Sequence, residues 1–352
     1  MTGESPAPVK WTRLAKGDES RWDDFAGRVP GATLYHRAGW ASVIQEAFGQ
    51  EPIYLIAESK GRIEGVLPLF AFSHFVFGKY LVSMPFLNRG GILAETDRAR
   101  HALLEGAKTL LRETGSAYCE LRHTEAEAIG GLPARTAKVS MALTLDADPE
   151  LLWKRVGPKV RNLVRKAERA GLEVREGQGE EDLATFQELF AVNMRDLGTP
   201  VYSPGFFRAV LGAFGDHCRL TLVERDGVAA AGGLCLQYNG FTEIHWAASR
   251  REFRRDSPNM LLYWDAIRDA CETGLRTFCF GRSTEGSGPY RFKRQWGAEP
   301  VPLRWEYLLS AGGGLPELNP DNPRFRLAVR IWQRLPLSVT RILGPPIVRH
   351  LP

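Results

Sequence analysis

Two stretches of the chain share one order of apolar and polar positions. YHRAGWASVIQEAFG, from Tyr35, and YSPGFFRAVLGAFG, from Tyr202, both run aromatic, polar, small, aromatic, then an apolar helical face ending in Phe-Gly. Their offset of 167 residues falls to 166 by the end. It persists in the next segments, where YLIAESKGRIEGVLPLF, from Tyr54, parallels LTLVERDGVAAAGGLCL, from Leu220. Each reads as a strand, a two-residue turn (Lys60-Gly61 or Asp226-Gly227) and a returning strand. Further on, ALLEGAKTLLRETGSAYCELR (Ala102 to Arg122) parallels LLYWDAIRDACETGLRTFCFGR (Leu261 to Arg282). Each is a helical pattern stopped by a glycine (Gly115, Gly274) before a buried strand. Three matches in the same order point to a duplication.

A helix, a meander of strands, a second helix and a returning parallel strand follow the GNAT-type acyltransferase order. The expected fold class is therefore α/β (α+β mixed sheet), with tandem duplicated GNAT-like domains. A chain of 352 residues with 44% apolar content fills two cores of about 150 residues each. The expected domains are residues 10–150, residues 151–310 carrying the active site, and a basic amphipathic tail over 311–352. Between the copies, GPKVRNLVRKAERAGLEV places Val160, Leu163, Val164, Ala167 and Ala170 on one helical face, and Lys159, Arg161, Arg165, Lys166 and Arg169 on the others.

Charge refines this picture. With 46 basic and 41 acidic residues the formal charge is only +5, so attraction to anions must come from local clusters. The five cysteines lack CxxC spacing and mostly sit in apolar runs, the pattern of buried thiols in a reducing compartment. MTGESPAPVKW has no apolar signal region, and the most hydrophobic stretch, Val66 to Phe86, is broken by Pro68, His74, Lys79 and Pro85. A cytoplasmic chain without a spanning helix is expected. From Pro323 the tail holds six arginines and no acidic residue, interleaved with Phe325, Trp332, Leu335, Ile342 and Ile347. Such a segment either lies peripherally on an anionic inner membrane or packs on its own lobes, with Pro336, Pro345 and Pro346 limiting its helices.

The candidate chemistry falls in the second copy. The sheet should splay between IHWAAS and FCFGRS, so His245, Trp246, Ser249, Arg282 and Ser283 are expected to line a cleft for substrate. An enzyme using acetyl-CoA normally has a glycine-rich turn that holds pyrophosphate before the following helix. Here that place reads RREFRRDSPNML, with Arg250, Arg251, Arg254 and Arg255 and no glycine, and Ser257-Pro258-Asn259 reads as a helix start, leaving Asn259 a binding candidate. After Arg282 comes STEGSGPYRFKRQWGAEP, a small-residue run giving way to Tyr290, Arg291, Phe292, Lys293, Arg294 and Trp296. Lys293 is the only lysine after Lys166. A compact ammonium in an arginine-rich chain suits a developing oxyanion. No Asp or Glu base is evident, and neither a metal nor a redox cofactor is implied.

GPKVRNLVRKAERAG, the Ser-Pro-Asn helix start and GRSTEGSGPYRFKRQWG together resemble the FemAB family, twin-GNAT aminoacyl transferases of cell-wall bridge synthesis, and most closely its branch associated with PEP-CTERM and exosortase systems. The resemblance spans about residues 10–310. It implies transfer of an aminoacyl group from tRNA to a peptide amine, with Phe292 and Lys293 as the pair beside the reacting ester, Lys293 on the tetrahedral intermediate, and Arg282, Tyr290 and Arg294 nearby. No tightly bound cofactor is implied. The donor, aminoacyl-tRNA or an acyl thioester, is a co-substrate, and the acceptor bears an amine. Two alternatives stay open: an N-acyltransferase using a CoA or carrier thioester, and a non-catalytic adaptor binding an anionic glycan-lipid or assembly partner.

Overall fold

The computed structural model describes residues 7–74, 78–316 and 323–351. Residues 1–6 of the N-terminal segment, and 317–322 and 352 of the expected tail, lie outside the described residues. The chain forms two compact units, each a mixed sheet with flanking helices.

The first unit comprises the chain to Thr136 together with Pro302–Pro316. Its elements are β1 (Lys10–Arg13), α1 (Glu19–Arg28), α2 (Trp40–Phe48), β2 (Glu51–Ser59), β3 (Arg62–His74), β4 (Gly78–Ser83), β5 (Leu93–Ala94), α3 (Asp97–Glu113), β6 (Tyr118–Thr124) and β7 (Ala134–Arg135). β1 to β4 form an antiparallel meander, and α3 returns the chain so that β6 runs parallel to β4 through Leu81↔Cys119 and Val82↔Glu120.

The second unit begins at Ala137 and contains β8 (Val139–Thr144), α4 (Pro149–Arg155), α5 (Pro158–Arg169), β9 (Glu173–Glu176), α6 (Gly179–Leu197), α7 (Pro204–Phe214), β10 (Cys218–Arg225), β11 (Val228–Tyr238), β12 (Phe241–Ser249), α8 (Pro258–Glu272), β13 (Thr277–Ser283) and α9 (Gly288–Arg294). Strand β14 (Glu299–Leu309) follows, and the C-terminal helices are α10 (Pro323–Trp332) and α11 (Leu337–Val348). Sheet order here is β8-β13-β12-β11-β10-β9. Again a meander (β9 to β12) is followed by a helix, α8, and a parallel strand, β13.

Both units therefore carry the GNAT-like order. In both hairpins the turn residues take positive φ, Lys60 and Gly61 at 51° and 77°, Asp226 and Gly227 at 51° and 73°, as a two-residue turn between right-twisted strands requires. The repeat is longer than the sequence matches indicate: β1 and α1 stand to the first sheet as β9 and α6 stand to the second.

The chain divides elsewhere than at the expected 150/151 boundary. β8 pairs antiparallel with β13 in the second unit, and β14, from Leu303, pairs with β6 in the first. Each strand completes a sheet other than that of the residues preceding it. Alternating apolar residues make a strand but do not name its partner.

The second core packs α5 and α8 on the sheet. Val160, Val164 and Ala167 of α5 are buried and Leu163 is partly buried, the face read from the sequence. The cysteines form no disulfides: Cys119, Cys235, Cys271 and Cys279 are buried, Cys218 half-buried. Among the described residues no helix is long and apolar enough to cross a membrane.

Candidate active site

The parallel strands β12 and β13 pair only from Phe241↔Thr277 to Glu243↔Cys279. Beyond that, each is bulged. In β12 the register jumps from Cys235↔Ile244 to Leu234↔Trp246, leaving His245 as the extra residue. In β13 the pairing with β8 shifts between Cys279 and Arg282, where Gly281 adopts φ 75°. Bulges re-aim side chains and end pairing, so the strands split where the sequence places a cleft.

A buried polar group fills the split. Glu243 is fully buried, and its Oε1 lies 3.1 Å from His245 Nδ1. A carboxylate can only accept, so Nδ1 carries the hydrogen and the other ring nitrogen is the one fit to take a proton. A Cβ on Gly281 would lie 3.4 Å from Glu243 Oε1, so the strand passes close to the carboxylate. Cys279 Sγ is held by Ser140 Oγ at 3.0 Å and accepts from Gly281 N–H at 3.3 Å. Ser283 Oγ is buried, with no hydrogen-bond partner among the described residues.

Lys293 reaches this group from α9. Ser287 caps that short helix by accepting from Tyr290 N–H. Phe292 and Trp296, four residues apart, turn into the core, Phe292 meeting Tyr263 edge-on at 5.2 Å. Anchored so, the helix directs Lys293 to β13, where its buried Nζ donates to the carbonyls of Gly281 and Arg282, both at 3.0 Å. Burial drives the ammonium down to about 8, with Arg282 adding in the same direction and Cys279 and Glu243 opposing.

The structure thus gathers Glu243, His245, Cys279, the Gly281-Arg282 backbone and Lys293. Of the other expected residues, Trp246, Phe292 and Arg294 are engaged elsewhere. Trp246 packs edge-on against Phe206 and Phe207 of α7, and Phe292 is a packing residue. Arg294 pairs with Glu299 at 2.6 Å. Tyr290 packs partly against the core, Ser249 ends β12 opposite Ala231, Asn259 lies in the first turn of α8, and the Arg282 side chain is exposed. Glu243 and Cys279 escaped the sequence reading. The signal was Glu-x-His in an otherwise apolar strand, because residues two apart share a face.

The turn before α8 is a 3₁₀ segment over Arg251–Asp256. Phe253, Ser257 and Met260 N–H groups already donate to Arg250, Arg254 and Ser257 carbonyls, and Pro258 has none to give. Arg250 and Arg251 pair with Glu188 and Asp196, while Arg254 and Arg255 are exposed. Lys166 of α5 donates to the Arg255 carbonyl.

At the corresponding place in the first unit Leu81 stands opposite Cys119, where Glu243 stands opposite Cys279. Arg122, three residues past Cys119 as Arg282 is past Cys279, is buried. It donates to Glu120 at 2.8 Å and to the Met84 and Leu87 carbonyls at 3.2 and 2.6 Å, its guanidinium lying 4.2 Å from the Trp305 ring. That split is plugged by its own arginine. A depression of about 550 Å³ in this unit, between β1 and α3, is lined by Val9, Trp11, Asp97 and His101 among others. None of the candidate site residues borders it.

Residues 155–294 match the model of the acetyltransferase (GNAT) domain. The chain is similar in structure to FemX, with TM-score 0.67, 16% identity, 85% of this chain and 97% of that chain covered. It is similar to L-PGS from Bacillus licheniformis, with TM-score 0.60, 14% identity and coverage of 94% and 99%. A tandem GNAT protein from the clavulanic acid biosynthesis pathway gives TM-score 0.53, 17% identity and coverage of 88% and 100%. A search of curated proteins finds no significant match. These likenesses agree with the strand order of both units: the chain has a tandem GNAT-like fold, with an acetyltransferase (GNAT) domain in its second unit.

Proposed function

We propose that the second unit is an acyl-transfer site joining an activated carbonyl to an acceptor amine, with an aminoacyl ester as donor. The observation that carries this reading is the buried Glu243–His245 pair beside the Lys293 ammonium in one strand split. The acceptor nitrogen attacks the carbonyl carbon, forming the C–N bond and an oxyanion. Lys293 spends two N–H groups on β13, and its third, with its charge, serves the oxyanion. His245 takes the proton released by the nitrogen, and the Glu243 carboxylate stabilises the resulting imidazolium. As the C–O bond breaks, that proton passes to the leaving oxygen.

The ester is preferred to a coenzyme A thioester because the turn before α8 lacks glycine, has the Phe253, Ser257 and Met260 N–H groups spent internally, and carries Pro258, which has none. Cell-envelope or exopolysaccharide biosynthesis, with the PEP-CTERM and exosortase association, is the setting that the FemAB resemblance suggests. FemX and L-PGS among the structural neighbours are compatible with it. Titration calorimetry with acetyl-CoA tests the donor: the reading expects no saturable heat up to about 1 mM, the top of the usual enzyme range. Tight binding would favour a thioester-using N-acyltransferase.

A further inference from the structure

The described C-terminal segment, residues 323–351, belongs to the second unit but is attached on one side only. In α11 the docked side is Thr340, Gly344 and Val348, four residues apart and buried. Gly344 lies so close to Val201 that a Cβ would come within 2.9 Å of its backbone. In α10 Trp332 is buried and Val329 covers Gly198, and just beyond it Gln333 donates to the Asp196 carbonyl at 3.1 Å. Pro345 and Pro346 lie inside α11 but only in its last turn, so the N–H groups they lack cost bonds to the preceding turn without stopping the helix short of Val348.

The rest of these helices exposes large apolar side chains. Ile342 is 73% exposed, Leu327 60% and Ile331 53%, and Leu343, Ile347 and Leu351 are also exposed. Seven of the eleven large apolar side chains exposed among the described residues fall in this short stretch. Leu327 and Ile331 are four residues apart, as are Leu343 and Ile347, so each pair is adjacent on its helix. A segment that served only to pack on the unit would have no use for this second apolar side.

The charge around these residues has one sign. Arg326, Arg330, Arg334, Arg341 and Arg349 are exposed, and residues 323–352 contain no Asp or Glu. Among the described residues no salt bridge involves Arg326, Arg330, Arg334 or Arg341. Arginines alone would suit RNA, and aliphatic side chains alone another protein. Both together, on helices too short to span, match a surface that inserts apolar side chains between lipids while basic groups meet anionic headgroups. We propose that the exposed side of α10 and α11 is a docking surface for an anionic bilayer. The proposal is independent of the activity argued above.

The test is sedimentation of the full-length chain with vesicles of phosphatidylcholine, alone or mixed with phosphatidylglycerol. Binding is expected on the mixed vesicles, at least about tenfold weaker on neutral ones, and reduced by high salt. Ile342→Asp should weaken it about tenfold. The triple change Arg330→Gln, Arg334→Gln, Arg341→Gln should weaken it about a hundredfold, each arginine counting for about fivefold. All four positions are exposed, so unchanged circular dichroism and melting are expected and confirm that the variants fold. No binding to mixed vesicles overturns the proposal. So does binding that the arginine changes abolish but Ile342→Asp leaves intact, which would describe a polyanion site such as RNA uses. A dimer in sedimentation velocity that Ile342→Asp dissociates would assign the surface to a second copy and overturn it as well.

Discussion

Replacing Lys293 with methionine separates its two tasks. In stability, the drop from the ordinary 10.5 to about 8 corresponds to about 3 kcal/mol against the charged form at neutral pH, which methionine removes. The substitution also strands the Gly281 and Arg282 carbonyls, at about 1–3 kcal/mol each. The two effects nearly offset, so thermal unfolding should show a folded protein within about 3 kcal/mol of wild type. Between about pH 8 and 10.5 the unfolded chain holds this proton more tightly than the folded one. Wild type should therefore gain stability as pH rises through that window, and Lys293→Met should lose the gain. In activity, losing one oxyanion donor costs about 2.7–4 kcal/mol, a rate loss of about 10² to 10³. Wild-type kcat/KM for aminoacyl transfer should fall above about pH 8 as the ammonium deprotonates, and Lys293→Arg, charged throughout, should remove that limb if it retains activity. A folded Lys293→Met enzyme with wild-type turnover would refute the reasoning. An alkaline limb unchanged in an active Lys293→Arg would refute the assignment of that limb.

Three further outcomes follow from named contacts. His245→Gln should slow transfer about 10²-fold or more without altering the melt by more than about 1 kcal/mol, measured as kcat/KM beside calorimetry. Arg122→Ala leaves Glu120 without its arginine and should cost about 3 kcal/mol in denaturant titration; a loss below about 1 kcal/mol would show the plug to be dispensable. His36, driven down to about 4 by burial, binds its proton in the unfolded chain near 6.5. Stability should therefore fall by about 3 kcal/mol as pH drops from about 6.5 to 4, and His36→Gln should flatten that slope.

Much of the fold is legible because local chemistry fixes it. Lys60-Gly61 and Asp226-Gly227 demand the same turn, and Gly115 and Gly274 end equivalent helices in positive φ. The apolar side of α5 follows from a 3.6-residue period. Lys293 stands out by composition. Other features depend on pairing that periodicity does not encode. β8 and β14 read as ordinary strands, and only long-range registers assign them to their sheets. Trp246 was expected in the cleft, but the bulge at His245 turns it into the α7 cluster. Glu243 and His245, two residues apart, share a strand face and meet at 3.1 Å, but the depth at which the carboxylate is buried depends on the packing of β13 against β12. Phe292 of α9 and Trp296 just beyond its end both pack into the core, so the Phe-Lys pair that the resemblance puts beside one ester points two ways, Phe292 into the core and Lys293 at β13.

The most direct measurement is single-turnover transfer of a radiolabelled aminoacyl group from aminoacyl-tRNA to alanine amide, with wild type, Lys293→Met and His245→Gln in parallel. Wild type should form the amide product, with each variant slower by about 10² or more. Product from wild type and both variants at equal rates, or none from wild type under conditions where acetyl-CoA is consumed, would contradict an aminoacyl-transfer site built on Glu243, His245 and Lys293.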